Sequence, residues 1–277
     1  MAEFPINEAP RTPMSQPPSP STPQGPIVVM TAGGTNPQVM INALSVRWPG
    51  RIAVIEEQPE SKGTILKRRA RRLGWLTALG QLGTMIASRL TKSIAARRSS
   101  EILAAYRLSS MANDAIAVTA VPSLNHPACH DLVAQLAPAA IFTISCRILS
   151  QKTLAAMPCP VINFHAGINP AYRGQMGGYW SLVEGDAGNF GATVHLVDSG
   201  IDTGGSLYEQ RVSPAGSDTI ATYPLLLTAA GTQIAIRALE DALAGTLKPF
   251  QPEGRSALRY PPTLWTWMFY GITKRIW

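Results

Sequence analysis

Three polar residues in the stretch 161–204 have the types and spacing that proton transfer requires: Asn163, His165 and Asp202. Asn163 and His165 lie two apart, directly after the apolar run Pro160-Val161-Ile162. If that run is a strand, alternate side chains share a face, so both project the same way from its carboxyl end. In open α/β sheets that end is where ligands bind. Thr193–Val197 reads as a further strand, and the loop after it, Asp198-Ser199-Gly200-Ile201-Asp202-Thr203-Gly204-Gly205, would carry Asp202 to the same edge. An amide, an imidazole and a carboxylate converging on one point suit general acid–base catalysis and oxyanion stabilisation. The same three residues would equally serve as a turn cap, a satisfied core histidine and a loop-fixing acid, and spacing alone leaves both readings open.

The elements that must position them alternate between strand and helix. Ile27–Met30 reads as a buried parallel strand. It runs into Thr31-Ala32-Gly33-Gly34-Thr35-Asn36 and then a helical pattern from Pro37 to about Val46. A Gly-rich turn opening a helix presents backbone N–H groups to an anion, but the spacing is neither GxGxxG nor a Walker loop, so neither a dinucleotide nor ATP is indicated. Further strands are expected at 51–55, 115–119, 140–144, 161–164, 192–197 and 206–212. Helices are expected at 125–136, at 150–157 with Ser150 as N-cap, at about 178–184, and from about 220 to 243 with Gly245 as C-cap. This order implies an α/β fold: a Rossmann-like, mostly parallel twisted sheet with helices on both faces.

Residues 1–26 hold eight of the 23 prolines and almost nothing apolar, so this tail is expected to be disordered. The catalytic unit is expected to span 27–245, followed by an aromatic C-terminal arm at 246–277. Within the unit, residues 62–98 carry ten Lys or Arg and no acid, with Ile65, Leu73, Leu76, Leu79 and Ile86 interleaved. One or two basic amphipathic helices are expected there. They present either a solvated face over a packed apolar one, or a surface for an anionic membrane or anionic substrate. In the arm, residues 260–277 contain six aromatics and two charges. That pattern fits packing on its own domain, on a second subunit as a homodimer, or at a membrane interface. The net charge is +7, and the three cysteines, Cys129, Cys146 and Cys159, form no CxxC pair. A disulfide framework and a zinc site are therefore not expected, and a reducing, cytoplasmic location is. No apolar run reaches the length of a membrane span, and the N-terminus lacks the pattern of a signal peptide.

From Ile144 to Gln210 the chain resembles the folate-dependent formyltransferases, a family that includes glycinamide ribonucleotide, methionyl-tRNA and sugar N-formyltransferases. The resemblance is carried, in order, by Cys146-Arg147-Ile148-Leu149-Ser150, Val161-Ile162-Asn163-Phe164-His165, Ala171-Tyr172-Arg173-Gly174, Gly191-Ala192-Thr193-Val194-His195 and Gly200-Ile201-Asp202-Thr203-Gly204-Gly205. It implies a formyltransferase fold and a transferase of one-carbon metabolism that uses 10-formyltetrahydrofolate as co-substrate and no metal. Asn163, His165 and Asp202 fall on the family's catalytic positions. Cys146, Arg147, Ile148 and Leu149 fall on one wall of the folate pocket, and Val197, Asp198, Ser199, Gly200 and Ile201 on the other. Gly33, Gly34, Thr35 and Asn36, with Arg173 and Gly174, would meet the acceptor.

The same resemblance narrows the acceptor. The C-terminal barrel of the methionyl-tRNA enzymes has no counterpart in 246–277, which argues against nucleic acid. The glycinamide ribonucleotide enzymes lack a block like 62–98 and carry histidines where this chain has Gln175-Met176-Gly177-Gly178. A small amine, phosphorylated or linked to a nucleotide or a lipid carrier, is expected instead. A glycinamide ribonucleotide acceptor, a formyltetrahydrofolate hydrolase releasing formate, and a non-catalytic membrane-associated scaffold are the alternatives. Peripheral contact with an anionic membrane is compatible with each.

Overall fold

The computed structural model describes residues 25–90 and 92–277. Of the tail expected to be disordered, residues 1–24 lie outside the described residues. The elements in chain order begin with β1 (Ile27–Thr31), α1 (Thr35–Arg47) and β2 (Ile52–Glu57). Three helices follow, α2 (Lys62–Leu73), α3 (Trp75–Leu90) and α4 (Lys92–Tyr106). Next come β3 (Ala117–Val121), α5 (Pro127–Leu136), β4 (Ala140–Ile144), α6 (Gln151–Ala155), β5 (Val161–His165), β6 (Arg173–Gly174) and α7 (Gly177–Val183). The chain ends with β7 (Gly191–Leu196), β8 (Ser206–Arg211), α8 (Tyr223–Ala244), β9 (Leu258–Arg259) and α9 (Leu264–Lys274).

Seven strands form one sheet in the order β3-β2-β1-β4-β5-β7-β8. The first five are parallel, and β7 and β8 each run antiparallel to the preceding neighbour. The mostly parallel sheet expected from the sequence is present, with an antiparallel edge. Its central strands β1 and β4 are wholly buried because helices cover both faces. On one face Ile27, Val29, Phe142, Ile162 and Phe164 pack with Met40 and Leu44 of α1 and Ala235, Ala238 and Leu239 of α8. On the other, Val28, Met30, Ile141 and Val161 pack with Cys129 and Val133 of α5. The odd–even division along each strand follows from side-chain alternation.

Several boundaries differ from the sequence reading, each for a local reason. The third strand begins two residues later than expected, and β2 extends past Ile55 to take in Glu56 and Glu57. Pattern alone stops a buried strand at its last apolar residue, whereas backbone pairing with Ala120 and Val121 continues through both acids. The basic block forms parts of three helices rather than one or two, because Gly74 ends α2. Nor is its apolar set packed: Leu76, Leu79 and Ile86 are exposed, while the smaller Ala78, Gln81 and Thr84 are buried. The C-terminal arm lies on the same molecule. Gln81 Nε2 donates to the Pro261 carbonyl at 3.0 Å, and Thr84 Oγ1 to that of Pro262 at 2.9 Å. β9 pairs with β6 beside the catalytic edge.

One close approach governs the strand that carries the candidate catalytic pair. A Cβ at Gly231, in the middle of α8, would stand 2.4 Å from the Phe164 ring. Phe164 separates Asn163 from His165 and is itself buried, so α8 can seat β5 only where that helix has no side chain. Gly231→Val is expected to overpack this contact and lower unfolding free energy by about 1–3 kcal/mol, as measured by urea titration.

Candidate active site

Strand register explains why the candidate residues meet. Asn163 is the Cα partner of Thr143 on β4 and of His195 on β7. The three therefore form a row across the sheet, with their side chains in contact. Thr143 Oγ1 donates to Asn163 Oδ1 at 2.8 Å, which turns the amide nitrogen toward β7. There Asn163 Nδ2 stands 3.0 Å from His195 Nε2. His195 Nδ1 donates to the Leu196 carbonyl at 2.7 Å, so on a neutral ring Nε2 is the acceptor of an Asn163 N–H. The second N–H of that amide is left to face the cleft.

His165, one pleat further on the same face of β5, donates from Nε2 to the Tyr172 carbonyl at 2.7 Å. Its Nδ1 faces Asp202 Oδ2 at 3.5 Å. With Nε2–H committed to a carbonyl, a proton on Nδ1 makes this ring a cation beside the carboxylate. On its other side Asp202 Oδ1 lies 3.4 Å from His195 Nε2. The Gly174 N–H donates to Asp202 Oδ2 at 2.8 Å. Asp202 reaches this position from a left-handed backbone, φ 51°, a region that Asp tolerates better than most residues. The loop that carries it is tied by Asp198 Oδ1, which accepts from the Gly200 N–H at 3.0 Å and the Thr203 hydroxyl at 2.7 Å. Burial by itself would raise the Asp202 pKa. The flanking imidazoles of His165 and His195 and the Gly174 N–H more than offset it and hold the carboxyl well below the usual carboxylate range.

These groups open into a cleft of about 930 Å³ at the carboxyl edge of the sheet. Asn163, His165 and Asp202 line it, as do Cys146, Arg147, Ile148 and Leu149 from one loop and Val197, Asp198, Gly200 and Ile201 from the other. Ser199 does not. Gly174 lines the cleft, whereas Arg173 stands behind it, donating to the Ile201 carbonyl at 2.9 Å. Of the turn 33–36 only Asn36 reaches the cleft. A Cβ on Gly33 would lie 2.9 Å from the Glu56 carboxyl, and that negative charge opposes an anion at the turn. The Cys146 thiol is pushed up to about 12, first by burial and then by the Glu57 carboxylate, so it serves as wall rather than nucleophile. Among the described residues no three His, Cys, Asp or Glu side chains are grouped as metal ligands.

The sequence reading assigned no role to several groups that shape the cleft. Glu57 has a fully buried side chain, and its carboxylate accepts from the Arg147 backbone N–H and guanidinium Nε, both at 2.6 Å. It thereby fixes the loop 145–149. Asn125 stitches the same loop from the other side, donating to the Ile148 carbonyl at 2.9 Å and accepting from the Ser150 N–H at 2.7 Å. His195 stood within a recognised motif, yet only its pairing with Asn163 reveals its part. Arg68, Arg69 and Arg72 of α2, from the basic block that the sequence offered to an anionic substrate or membrane, enter the wall of the cleft together with Tyr260 of the C-terminal arm. Nothing in the order of residues signals that meeting.

A fixed amide donor, two imidazoles and a low-pKa carboxylate at the carboxyl edge of a Rossmann-like sheet are the equipment of a group-transferring enzyme acting on a carbonyl. Comparison with known proteins agrees. The family model described as formyl transferase matches residues 84–239. A glycinamide ribonucleotide transformylase from Symbiobacterium toebii superposes with a TM-score of 0.53 at 22% identity, over 85% of this chain and 94% of that one. A sugar N-formyltransferase from a Shewanella species gives 0.53 at 13% identity, over 84% and 75%. A 4-N formyltransferase from Francisella tularensis gives 0.52 at 13%, over 85% and 76%. At these identities the likeness is one of fold. The protein belongs to the formyl transferase family, and it is an enzyme of that class.

The lowered Asp202 pKa carries a pH signature. A depressed native pKa contributes stability in full above the unfolded value of about 4 and loses it as pH falls through the native value. The stability advantage of the wild type over Asp202→Asn, measured by urea unfolding, is therefore expected to shrink as pH falls below about 4.

Proposed function

We propose that this formyltransferase transfers the formyl group of 10-formyltetrahydrofolate to the amine of a small anionic acceptor, an amino sugar borne on a nucleotide or a lipid carrier. The observation that carries this reading is the composition of this cleft. It is lined by Asn163, His165 and Asp202, by the two loops that resemble the family's folate-pocket segments, and by Arg68, Arg69 and Arg72 of α2. Arg68 is matched by Glu60, with paired contacts of 2.7 Å. Arg69 and Arg72 have no carboxylate partner within ion-pair distance among the described residues. Arg69 contacts Gln175 Oε1 at 3.5 Å, and Arg72 lies 5.3 Å from the centre of the Tyr260 ring. Partial burial, and after it the neighbouring Arg68, lower the Arg69 pKa, and both effects favour an anion beside it. Gln175 follows Gly174, whose N–H holds Asp202, so the cationic wall and the catalytic group are tied to adjacent residues.

In the reaction the acceptor amine attacks the formyl carbon, and the carbonyl π pair moves to oxygen. The free N–H of Asn163 donates to that oxyanion, and His165 protonated at Nδ1 adds positive charge nearby. Asp202, through water, takes a proton from the acceptor nitrogen once its attack has made it cationic, and returns it to the folate nitrogen as the carbon–nitrogen bond breaks. His195 keeps the Asn163 amide turned toward the cleft.

Asn163→Ala is expected to lower kcat by about 10²–10³-fold, the loss typical of one oxyanion donor, with its circular dichroism spectrum unchanged. Wild-type turnover in this variant would overturn the mechanism, and formate released without any amine would make the enzyme a hydrolase. Arg69→Ala is expected to raise the acceptor KM about 10–100-fold, as for one charged hydrogen bond of about 1.5–3 kcal/mol, and to leave the donor KM unchanged.

A further inference from the structure

Two exposed apolar stripes, one on α3 and one on α9, have no part in the cleft. On α3 the side chains of Trp75, Leu79 and Ile86 recur at helical spacing along one stripe and are 59%, 52% and 52% exposed, with Leu76 beside them. On α9 Trp265, Met268, Phe269 and Ile272 form a second stripe at i, i+3, i+4 and i+7, also exposed. The two helices touch where α3 is thin. A Cβ on Gly80 would collide with the Trp265 ring, and one on Gly83 would press on Leu264. The two exposed stripes thus stand on helices packed directly against each other.

Charge says what covers them. No Asp or Glu occurs between Ser61 and Ser100, and none after Glu253. Exposed cations stand on the same or adjoining elements: Lys67 and Arg71 on α2, which packs on α3, Arg89 on α3 and Arg275 after α9. A symmetric pairing with a second copy would press this acid-free, cationic patch against itself. Tryptophan, aliphatic side chains and cations without acids are the composition that binds the headgroup region of an anionic bilayer. No helix among the described residues is long and apolar enough to cross a membrane.

We infer that the α3–α9 face, with the cations of α2, docks the enzyme on an anionic lipid surface and turns the cleft toward an acceptor held there. Two features join this surface to the cleft. Arg72 and Tyr260 line the cleft from α2 and the arm that leads into α9. A second recess of about 450 Å³ is walled by Ile65, Leu66, Ala78, Leu82 and Met85 of α2 and α3 together with Glu57, Glu60, Lys62 and Arg89, and it shares Glu60, Arg69, Ser145, Cys146 and Arg147 with the cleft. The docking itself does not depend on the proposed acceptor, and its failure would leave the transfer reaction standing.

The test is sedimentation of the full chain with phosphatidylcholine vesicles, with and without phosphatidylglycerol, alongside light scattering in their absence. The wild type is expected to pellet with the phosphatidylglycerol vesicles and to remain in solution with phosphatidylcholine alone. The pair Phe269→Ser and Ile272→Ser together should lose binding at least tenfold while keeping the wild-type thermal midpoint. Arg71→Gln, which alters no packed side chain, should lose about fivefold, the factor for one cation at an anionic surface. Absence of pelleting, equal pelleting with both vesicles, or undiminished binding in both variants would overturn the inference. So would a dimer in solution that Phe269→Ser and Ile272→Ser dissociates, because a second copy would then own the face.

Discussion

Thr143, Asn163 and His195 come from three different strands, and sheet register alone puts them in line. Because β4 and β7 flank β5 with fixed partners, the Asn163 amide is held at its oxygen by Thr143 and at its nitrogen by His195, and it cannot rotate without breaking both contacts. That double hold is what turns an ordinary strand asparagine into a preorganised donor. A slip of one residue in β5 would send Asn163 and His165 to the opposite face. The packing of Phe164 into the groove over Gly231 opposes that slip.

Around this row the protein spends buried charge on position. Glu57 has no exposed side-chain surface, and it is tolerable because the Arg147 backbone and guanidinium both donate to it. A buried pair of this kind adds little net stability. What it secures here is the shape of the loop that walls the cleft. Asp202 follows the same logic with less burial: the His165 imidazole and the Gly174 N–H face its carboxylate where solvent is scarce. The cations of α2 are the converse, incompletely matched charge left at the wall, where it adds to the field inside the cleft.

The strands and helices that build the sheet were legible because their apolar runs are short, regular and bounded by turn residues. Ile27–Met30, Ala140–Ile144 and the long helix closed by Gly245 all stand where pattern alone puts them. Glu57 was not legible. A glutamate after an apolar run looks like the solvent end of a strand, and only Arg147, ninety residues on, makes its burial bearable. Leu76, Leu79 and Ile86 misled for a related reason. Helical spacing shows that residues share a face but not what that face meets, and here the smaller side of α3 is the one that packs.

By itself the sequence determined the local chemistry: which strands form, which residues end them, and that Asn163, His165 and Asp202 can reach one edge, because alternation and turn propensity act between near neighbours. Tertiary structure alone decided that His195 orients the Asn163 amide and that Glu57 holds the Arg147 loop. It also brought α2 and the C-terminal arm into the wall of the cleft. Those relations depend on register and helix packing across tens of residues, which no local pattern encodes.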